Sequence, residues 1–196
     1  MICRHAVVSE QLALEALQRR ASLNNPGDRE ALLGNPDAIE VPLGQIVAGH
    51  VFVAEREGAI VGFAAVIPRD DGDAELDALF VEPSDWKQGV GRLLVEHCAN
   101  VALMQGSAAL HVIGNPHAEG FYRACGFEQT GTVQTRFGVA LCLRKTLRGC
   151  PGRVNVVLEP ARRVRVPPGN TKEERDAQSD KRDPVAGRAI LEEPKR

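Results

Sequence analysis

Apolar residues in the central part of the chain fall into three short runs that are separated by polar turns. The runs cover residues 50–55, 59–67 and 74–82, and each has the length of a β-strand. The middle run is almost entirely apolar, which is typical of a strand that is buried on both faces. The turns between the runs contain Gly58 and Gly72. The pattern therefore predicts three consecutive strands.

Helical periodicity is clearest after these strands, in residues 89–104. Their apolar positions recur on one helical face, at Val90, Leu94, Cys98 and Val101. The remaining elements are predicted, in chain order, as a strand at 2–8, helices at 9–22 and 28–33, a strand at 108–113, a helix at 116–124 and two strands within 127–147. This order predicts a single α/β domain over residues 1–148.

The first helix and the segment after it are predicted from capping and helix-breaking residues. Ser9 is a favourable N-cap residue, and Leu12 and Leu17 are predicted to share one apolar face with Ala16. Pro42 lies in a stretch that continues to about residue 49, and the prolines there predict irregular structure.

The composition changes sharply near residue 150. Residues 151–196 contain six prolines, eleven Lys or Arg and eight Asp or Glu, but no Phe, Tyr, Trp, Met or Cys. Such a segment buries too little apolar surface to offset the loss of chain entropy on folding. We therefore expect residues 149–196 to be a charged, Pro-rich and disordered tail.

Charge and cysteine content exclude several classes of protein. The formal net charge is -2, which argues against a general nucleic-acid binder. No apolar run reaches the roughly 18 residues that a membrane span needs, and no signal peptide is evident. The five cysteines include no CxxC pair, and the histidines show no metal-binding spacing. The sequence thus predicts a cytoplasmic protein without a metal site, a nucleic-acid partner or a membrane partner.

The most informative motif is the turn between the third central strand and the long helix. Gly89 and Gly91 stand one residue apart where the helix begins. Glycines permit close approach of a ligand to the backbone, and the first amides of a helix form an anion site. Lys87 adds a candidate cation, although it is also explained as a solvated surface residue. A dinucleotide-binding fingerprint is excluded, because its third glycine would replace Leu94.

Two segments together resemble the GNAT superfamily of acetyl-CoA-dependent N-acetyltransferases. The block from Val81-x-Pro83 to Gly89-x-Gly91 is similar to the superfamily's acyl-CoA pyrophosphate loop, and residues 115–127 are similar to its Asn-x-x-Ala-x-x-Phe-Tyr-x-x-x-Gly-Phe block. The resemblance covers about residues 2–147. It implies a mixed, mostly antiparallel sheet that is flanked by helices.

The resemblance also implies where acetyl-CoA would bind. The pyrophosphate would contact five consecutive backbone amides, those of Gln88, Gly89, Val90, Gly91 and Arg92. The pantetheine arm would lie like an added strand along Leu79, Phe80 and Val81, in the wedge where this strand diverges from the strand at 108–113. An amide of Phe80 or Val81 would polarise the thioester carbonyl. The superfamily usually has Arg or Gln where this chain has Trp86, which leaves any side-chain contribution to phosphate binding open.

Catalytic roles follow from the same resemblance. Asn115 would hydrogen-bond the pantetheine arm, and Tyr122 would be the general acid that protonates the leaving thiolate. Glu75 is the candidate base, acting through water. By strict alternation, Glu75 and Asp77 would share a face with Leu79 and Val81, and a solvent-facing acidic pair is the alternative interpretation.

The expected activity is acetyl transfer from acetyl-CoA to a primary amine, by direct attack in a ternary complex. A small-molecule acceptor is expected, in a pocket walled by Arg136, Phe137 and the helices within residues 10–45. Two alternatives remain open, namely an acyl-CoA-binding module without turnover and an acetyltransferase for protein N-termini or lysines. Edge strands of such sheets often pair between copies, so a homodimer is a further hypothesis.

Overall fold

The computed structural model of the protein describes residues 1–135 and 137–148. The predicted disordered tail, residues 149–196, lies outside the described residues, and so does Arg136. The domain boundary that we place at residue 148 therefore remains a prediction.

Seven strands and five α-helices make up the described chain. They are β1 (Ile2–His5), α1 (Gln11–Asn24), α2 (Pro26–Gly34), α3 (Leu43–Val47), β2 (Val51–Arg56), β3 (Ala59–Pro68), β4 (Ala74–Val81), α4 (Val90–Met104), β5 (Ala109–Gly114), α5 (Glu119–Ala124), β6 (Glu128–Thr135) and β7 (Gly138–Thr146). The predicted order of elements is confirmed, with α3 as an addition. Pro42 is the N-cap of α3, and a proline at the start of a helix sacrifices no helical hydrogen bond.

All seven strands belong to one sheet, in the order β1-β2-β3-β4-β5-β7-β6. Five of the neighbouring pairs are antiparallel, and β4 and β5 form the parallel pair. The predicted mixed, mostly antiparallel sheet is thus confirmed. Within the described ranges, no helix combines the length and the apolarity that crossing a membrane requires.

The start of α1 differs from the prediction. Residues Val8–Glu10 form a 3-10 turn, and the backbone N–H of Val7 donates to the Glu10 carboxylate over 2.9 Å. This bond closes the 3-10 turn, whereas Glu10, the N-cap residue of α1, makes no side-chain cap bond to that helix. The prediction that Ser9 caps α1 is therefore wrong. The helix begins later than predicted and buries Leu14 and Leu17, while Leu12 is 78% exposed. The predicted face of Leu12, Ala16 and Leu17 is therefore wrong except for Leu17.

Each face of the sheet carries its own apolar core. On one face, α4 packs through the four predicted positions, since Val90, Leu94, Cys98 and Val101 are all buried. On the other face, α1 and α3 pack against β2, β3 and β4, with Leu17 and Phe63 among the buried residues. Gly62 lets α4 approach β3 closely, because a Cβ there would lie 3.1 Å from a methyl group of Val90 and 3.2 Å from one of Leu94.

Candidate functional site

The site begins where β4 and β5 separate. These parallel strands are in register only at Ala74 with Leu110 and at Glu75 with His111. β5 continues along β7 to its end at Gly114, while β4 stays paired with β3 on its other side. The edge of β4 after Glu75 is therefore open, which is the wedge expected from the sequence.

The backbone of Val81 points into this wedge. The N–H of Glu82 donates to the carbonyl oxygen of Val61 on β3 over 2.9 Å. In an antiparallel ladder, alternate residues direct their polar groups to the same neighbour, so Phe80 also faces β3. Leu79 and Val81 direct their amides and carbonyls to the open edge. Two amides are candidates for polarising the thioester carbonyl. The amide of Val81 is available at the open edge, whereas the amide of Phe80 is directed at β3.

The N-terminus of α4 supplies a row of unpaired amides beside this edge. Gly89 is the N-cap with a left-handed φ of 84°, and the first helical residue is Val90. The amide of Leu93 is bonded to the carbonyl of Gly89. In the described chain, the amides of residues 88–92 donate to no other protein group. They are the donors that a helix N-terminus offers to an anion.

Side chains of the same loop hold its shape. The guanidinium of Arg56 donates to Asp85 over 2.7 Å and to the side-chain oxygen of Gln88 over 3.0 Å. The amide nitrogen of that Gln88 side chain donates to the carbonyl of Ser84 over 2.9 Å. Gln88 therefore has its backbone amide and one side-chain amide hydrogen left for a ligand. Lys87 is exposed with a φ of 62°, and its role as a cation for a ligand remains a prediction.

Trp86 is also tied to the end of β4. Its indole N–H donates to the carbonyl oxygen of Val81 over 2.8 Å, and the residue is 39% exposed. The aromatic side chain thus contacts the open edge at one of the predicted ligand positions.

A buried polar cluster lies at the end of β5. The Asn115 side chain accepts a hydrogen bond from the backbone N–H of His117 over 2.7 Å and donates one to Asp28 on α2 over 3.0 Å. Asp28 also accepts from the side chain of Asn25 over 2.7 Å. Burial raises the pKa of Asp28 to about 7, against the opposing effect of these two amide donors. One amide hydrogen of Asn115 remains for a ligand.

Tyr122 on α5 lies beside this cluster. Burial raises the pKa of its phenol, and the nearby Cys125 and Asp28 raise it further. The ring is packed edge-on against Phe121 and Phe127. The Tyr122 hydroxyl makes no hydrogen bond to the described chain. Among the described residues, Ser22 Oγ is the one fully buried side-chain polar atom without a partner. The Tyr122 hydroxyl is therefore not fully buried and has access to solvent.

Position 114 requires glycine because the ring of Tyr122 lies against it. A Cβ on Gly114 would lie 2.7 Å from Cε2 of Tyr122, a distance that would force the ring to shift. At Gly91, a Cβ would lie 3.2 Å from the ring of Phe121. The second glycine of the loop motif therefore allows α4 and α5 to approach each other closely.

A β-bulge at Asp77 changes the predicted face of the acidic residues. Ala65 pairs with Ala78, and the next residue of β3 pairs with Leu76, so that Asp77 is the extra residue. The core under α4 contains Leu76, and Leu79 and Val81 pack against it. The opposite core contains Phe80, and Ala78 packs against that one. Glu75 alternates with Leu76 and therefore faces the opposite side from Leu79 and Val81. The prediction of one shared face is wrong because a bulge shifts the alternation by one residue.

Glu75 and Asp77 each have a partner on this face of the sheet. Arg69 donates to Glu75 over 3.0 Å, and Gln45 on α3 donates to Asp77 over 2.9 Å. Burial raises the pKa of Glu75, opposed by the charge of Arg69 and reinforced by that of Asp77. A solvent-facing acidic pair does not describe these half-buried, hydrogen-bonded groups.

The predicted acceptor wall is described only in part, because Arg136 lies outside the described residues. Phe137 packs against a small cluster that contains Leu32 of α2 and Ala38. Asp28, a residue of the buried polar cluster at the end of β5, is indicated by no sequence motif. An acidic residue in the first turn of a helix is ordinarily explained by capping, and its contact with Asn115 spans 87 positions.

Comparison with known proteins identifies a matching family and proteins of similar fold. The family described as Acetyltransferase (GNAT) domain matches residues 48–129. A ribosomal-protein-alanine N-acetyltransferase from Brucella melitensis is 27% identical, with a TM-score of 0.56 over 75% of this chain and 100% of that one. The chain belongs to the GNAT acetyltransferase superfamily.

Two further proteins extend the comparison. The peptidyl-lysine N-acetyltransferase YjaB from Salmonella typhimurium is 41% identical over 56 residues, which cover 29% of this chain and 37% of that protein. This match therefore spans well under two thirds of YjaB. The PaiA N-acetyltransferase from Thermoplasma acidophilum, solved in complex with coenzyme A, has the same fold, with 16% identity and a TM-score of 0.61 over 74% of this chain and 98% of that one.

Proposed function

We propose that this GNAT protein transfers the acetyl group of acetyl-CoA to a primary amine. One observation carries the proposal: the open edge of β4 at Val81 ends directly beside the unpaired amides of α4. An extended amide-containing arm pairs with an open strand edge, and a diphosphate binds helix-terminal amides. Coenzyme A contains both groups in series.

The proposed cofactor contacts fall into three groups. The pyrophosphate would bind the amides of Gln88, Gly89, Val90, Gly91 and Arg92, with Lys87 as an additional cation. The pantetheine arm would pair with β4 over residues 79–81, through the outward-facing polar groups of Leu79 and Val81. The remaining amide hydrogen of Asn115 would donate to the same arm. The Val81 amide would polarise the thioester carbonyl, because it lies on the open edge.

The proposed reaction is direct attack by the acceptor nitrogen on the thioester carbonyl carbon. A C–N bond forms, the C–S bond breaks, and the sulfur leaves with the electron pair of that bond. Tyr122 gives its phenolic proton to this thiolate. Its raised pKa keeps the phenol protonated at neutral pH, so that the proton is present when the thiolate leaves. The acceptor loses a proton to the Glu75 carboxylate through water, and that proton later restores Tyr122 by way of solvent.

The acceptor is proposed to be a small primary amine. A peptide amine is the second candidate, because the names of YjaB and of the Brucella enzyme specify peptidyl-lysine and ribosomal-protein alanine as acceptors. Both candidates contain the nucleophile that the mechanism needs, which is an aliphatic amine with a removable proton. A peptide acceptor would contact a longer stretch of the enzyme around the wedge than a small amine would.

Calorimetry and a thiol-release assay test the proposal together. Coenzyme A should bind the purified chain, and acetyl-CoA should release free thiol in the presence of an accepted amine. The screen should include polyamines, amino acids, aminoglycosides, lysine peptides and peptides with a free N-terminal alanine. Binding without release on any acceptor would favour an acyl-CoA-binding module, and absence of binding would reject the proposed site.

A further inference from the structure

Trp86 competes for the strand edge on which the proposed cofactor site depends. The carbonyl of Val81 points away from β3 and into the wedge, as the ladder bond from Glu82 to Val61 requires. The indole N–H of Trp86 already donates to this carbonyl over 2.8 Å. A side chain of the protein therefore occupies the acceptor that an added strand would use.

The loop geometry makes this contact reversible. Trp86 follows the 3-10 turn Pro83–Asp85 and precedes the α4 turn, in extended backbone with φ of -62° and ψ of 147°. Its side chain is 39% exposed, so the ring has room to leave without opening either core. The Arg56 contacts with Asp85 and Gln88 hold the loop on both sides of Trp86 independently of the indole.

We propose that Trp86 is a displaceable occupant of the Val81 carbonyl. The pantetheine arm of coenzyme A replaces the indole N–H with one of its own amide N–H groups, and the indole moves away from β4. This inference rests on the proposed cofactor site and adds to it a side chain that must give way before the arm pairs with β4. Trp86 thus lowers the affinity for the pantetheine portion of the cofactor and leaves the pyrophosphate contacts unaffected.

The chain contains a single tryptophan, so its indole N–H gives one resolvable signal in a nitrogen-15 correlation spectrum. We expect the exchange of this proton with water to become faster when coenzyme A is added at saturation. The matched ligand is 3'-phosphoadenosine 5'-diphosphate, which keeps the phosphates and lacks the pantetheine arm, and it should leave the exchange unchanged. Calorimetry on the same samples establishes that each ligand is bound.

The variant Trp86→Phe keeps an aromatic ring and removes the donor. It should bind coenzyme A severalfold more tightly, by up to about tenfold, the range expected for one hydrogen bond that no longer has to be broken. Its affinity for 3'-phosphoadenosine 5'-diphosphate should be unchanged. Thermal melts of both proteins check that the variant is folded.

The outcomes separate this inference from the proposed function. If coenzyme A binds while indole exchange is unchanged or slower, the displacement is refuted and the cofactor site stands. Weaker binding of both ligands to Trp86→Phe would also refute it, because the indole would then be a structural support of the loop. If calorimetry detects no binding of coenzyme A to the wild-type protein, the proposed function fails and this inference fails with it.

Discussion

The side chain of Asn115 donates a hydrogen bond of 3.0 Å to Asp28, and both residues are almost fully buried. Asn115 follows β5 on the cofactor side of the proposed site, whereas Asp28 belongs to α2. The bond therefore joins the helical segment expected to line the acceptor pocket to the group expected to contact pantetheine. The same carboxylate raises the pKa of the nearby Tyr122. A change of charge at Asp28 should consequently affect both stability and catalysis.

The substitution Asp28→Asn should change the pH dependence of stability. The pKa of Asp28 is about 7 in the folded protein against 3.8 when unperturbed, so between these values the folded state holds a proton that the unfolded chain lacks. This contribution to stability is therefore fully present below the unfolded pKa of 3.8 and is lost as pH rises from there through the folded pKa of about 7. This linkage amounts to about 2 kcal/mol between roughly pH 5.5 and pH 8.

Urea denaturation at both pH values measures the effect as the difference between wild type and variant. Asp28→Asn should lack the decrease of about 2 kcal/mol that Asp28 contributes. Other titrating groups are common to both proteins and cancel in this comparison. An equal pH slope in the two proteins would mean that Asp28 is ionised throughout this range in the folded state.

Tyr122→Phe should reduce kcat by a factor of about 10² to 10⁴, the usual contribution of a general acid. The hydroxyl makes no hydrogen bond within the described chain, and the packing of the ring against Phe121 and Phe127 is retained. Stability and affinity for coenzyme A should therefore change little. Steady-state kinetics and calorimetry check the two statements separately. Wild-type turnover in this variant would remove the assigned role.

Gly89→Ala should weaken the binding of coenzyme A. The left-handed φ of 84° strains any other residue, and no protein atom lies within 4 Å of the added Cβ, so the methyl group enters space open to the ligand. Gly58→Ala is the matched control, because its φ is 80° and its Cβ also meets no atom within 4 Å. Both should cost about 1–2 kcal/mol of stability. Equal affinities of the two variants for coenzyme A would contradict the pyrophosphate site.

Glu75→Gln should lower kcat/KM and remove the fall in activity at acidic pH. The carboxylate must be ionised to accept a proton, so activity is lost as pH falls through the pKa of Glu75, which burial raises. Asp77→Asn is the comparison, because it removes a neighbouring charge that raises the pKa of Glu75 and should move the acidic limb to lower pH without abolishing it. A pH profile of kcat/KM for the three proteins measures the effect. An acidic limb that persists in Glu75→Gln would assign the base to another group.

Local patterns predicted most of the fold. The periodicity of Val90, Leu94, Cys98 and Val101 correctly identified the buried face of α4, because helical burial repeats at fixed spacing. The pair Gly89 and Gly91 likewise located the start of that helix. In α1, by contrast, the buried face runs through Leu14 and Leu17 and not through Leu12, and the helix begins two residues later than predicted because a 3-10 turn precedes it.

Long-range relationships account for what the sequence did not reveal. The bulge at Asp77 is a property of the pairing between β3 and β4, and alternation along β4 alone placed Glu75 on the wrong face. The contact between Asp28 and Asn115 joins residues that are 87 positions apart. The bond from Trp86 to Val81 is local, but it depends on which edge of β4 is open, and the order of strands decides that.

Gly114→Ala should displace Tyr122 and so impair catalysis without touching the proposed acid itself. The new Cβ would lie 2.7 Å from Cε2 of Tyr122 and 3.1 Å from a methyl group of Leu143, so the ring must move. Overpacking of this kind costs about 1–3 kcal/mol of stability. Gly131→Ala on β6 is the control, because no atom lies within 4 Å of its Cβ. Circular dichroism melts and thiol-release kinetics should show loss of both stability and kcat in Gly114→Ala alone. A variant that is destabilised but turns over at the wild-type rate would show that the position of the Tyr122 ring is not critical for proton transfer.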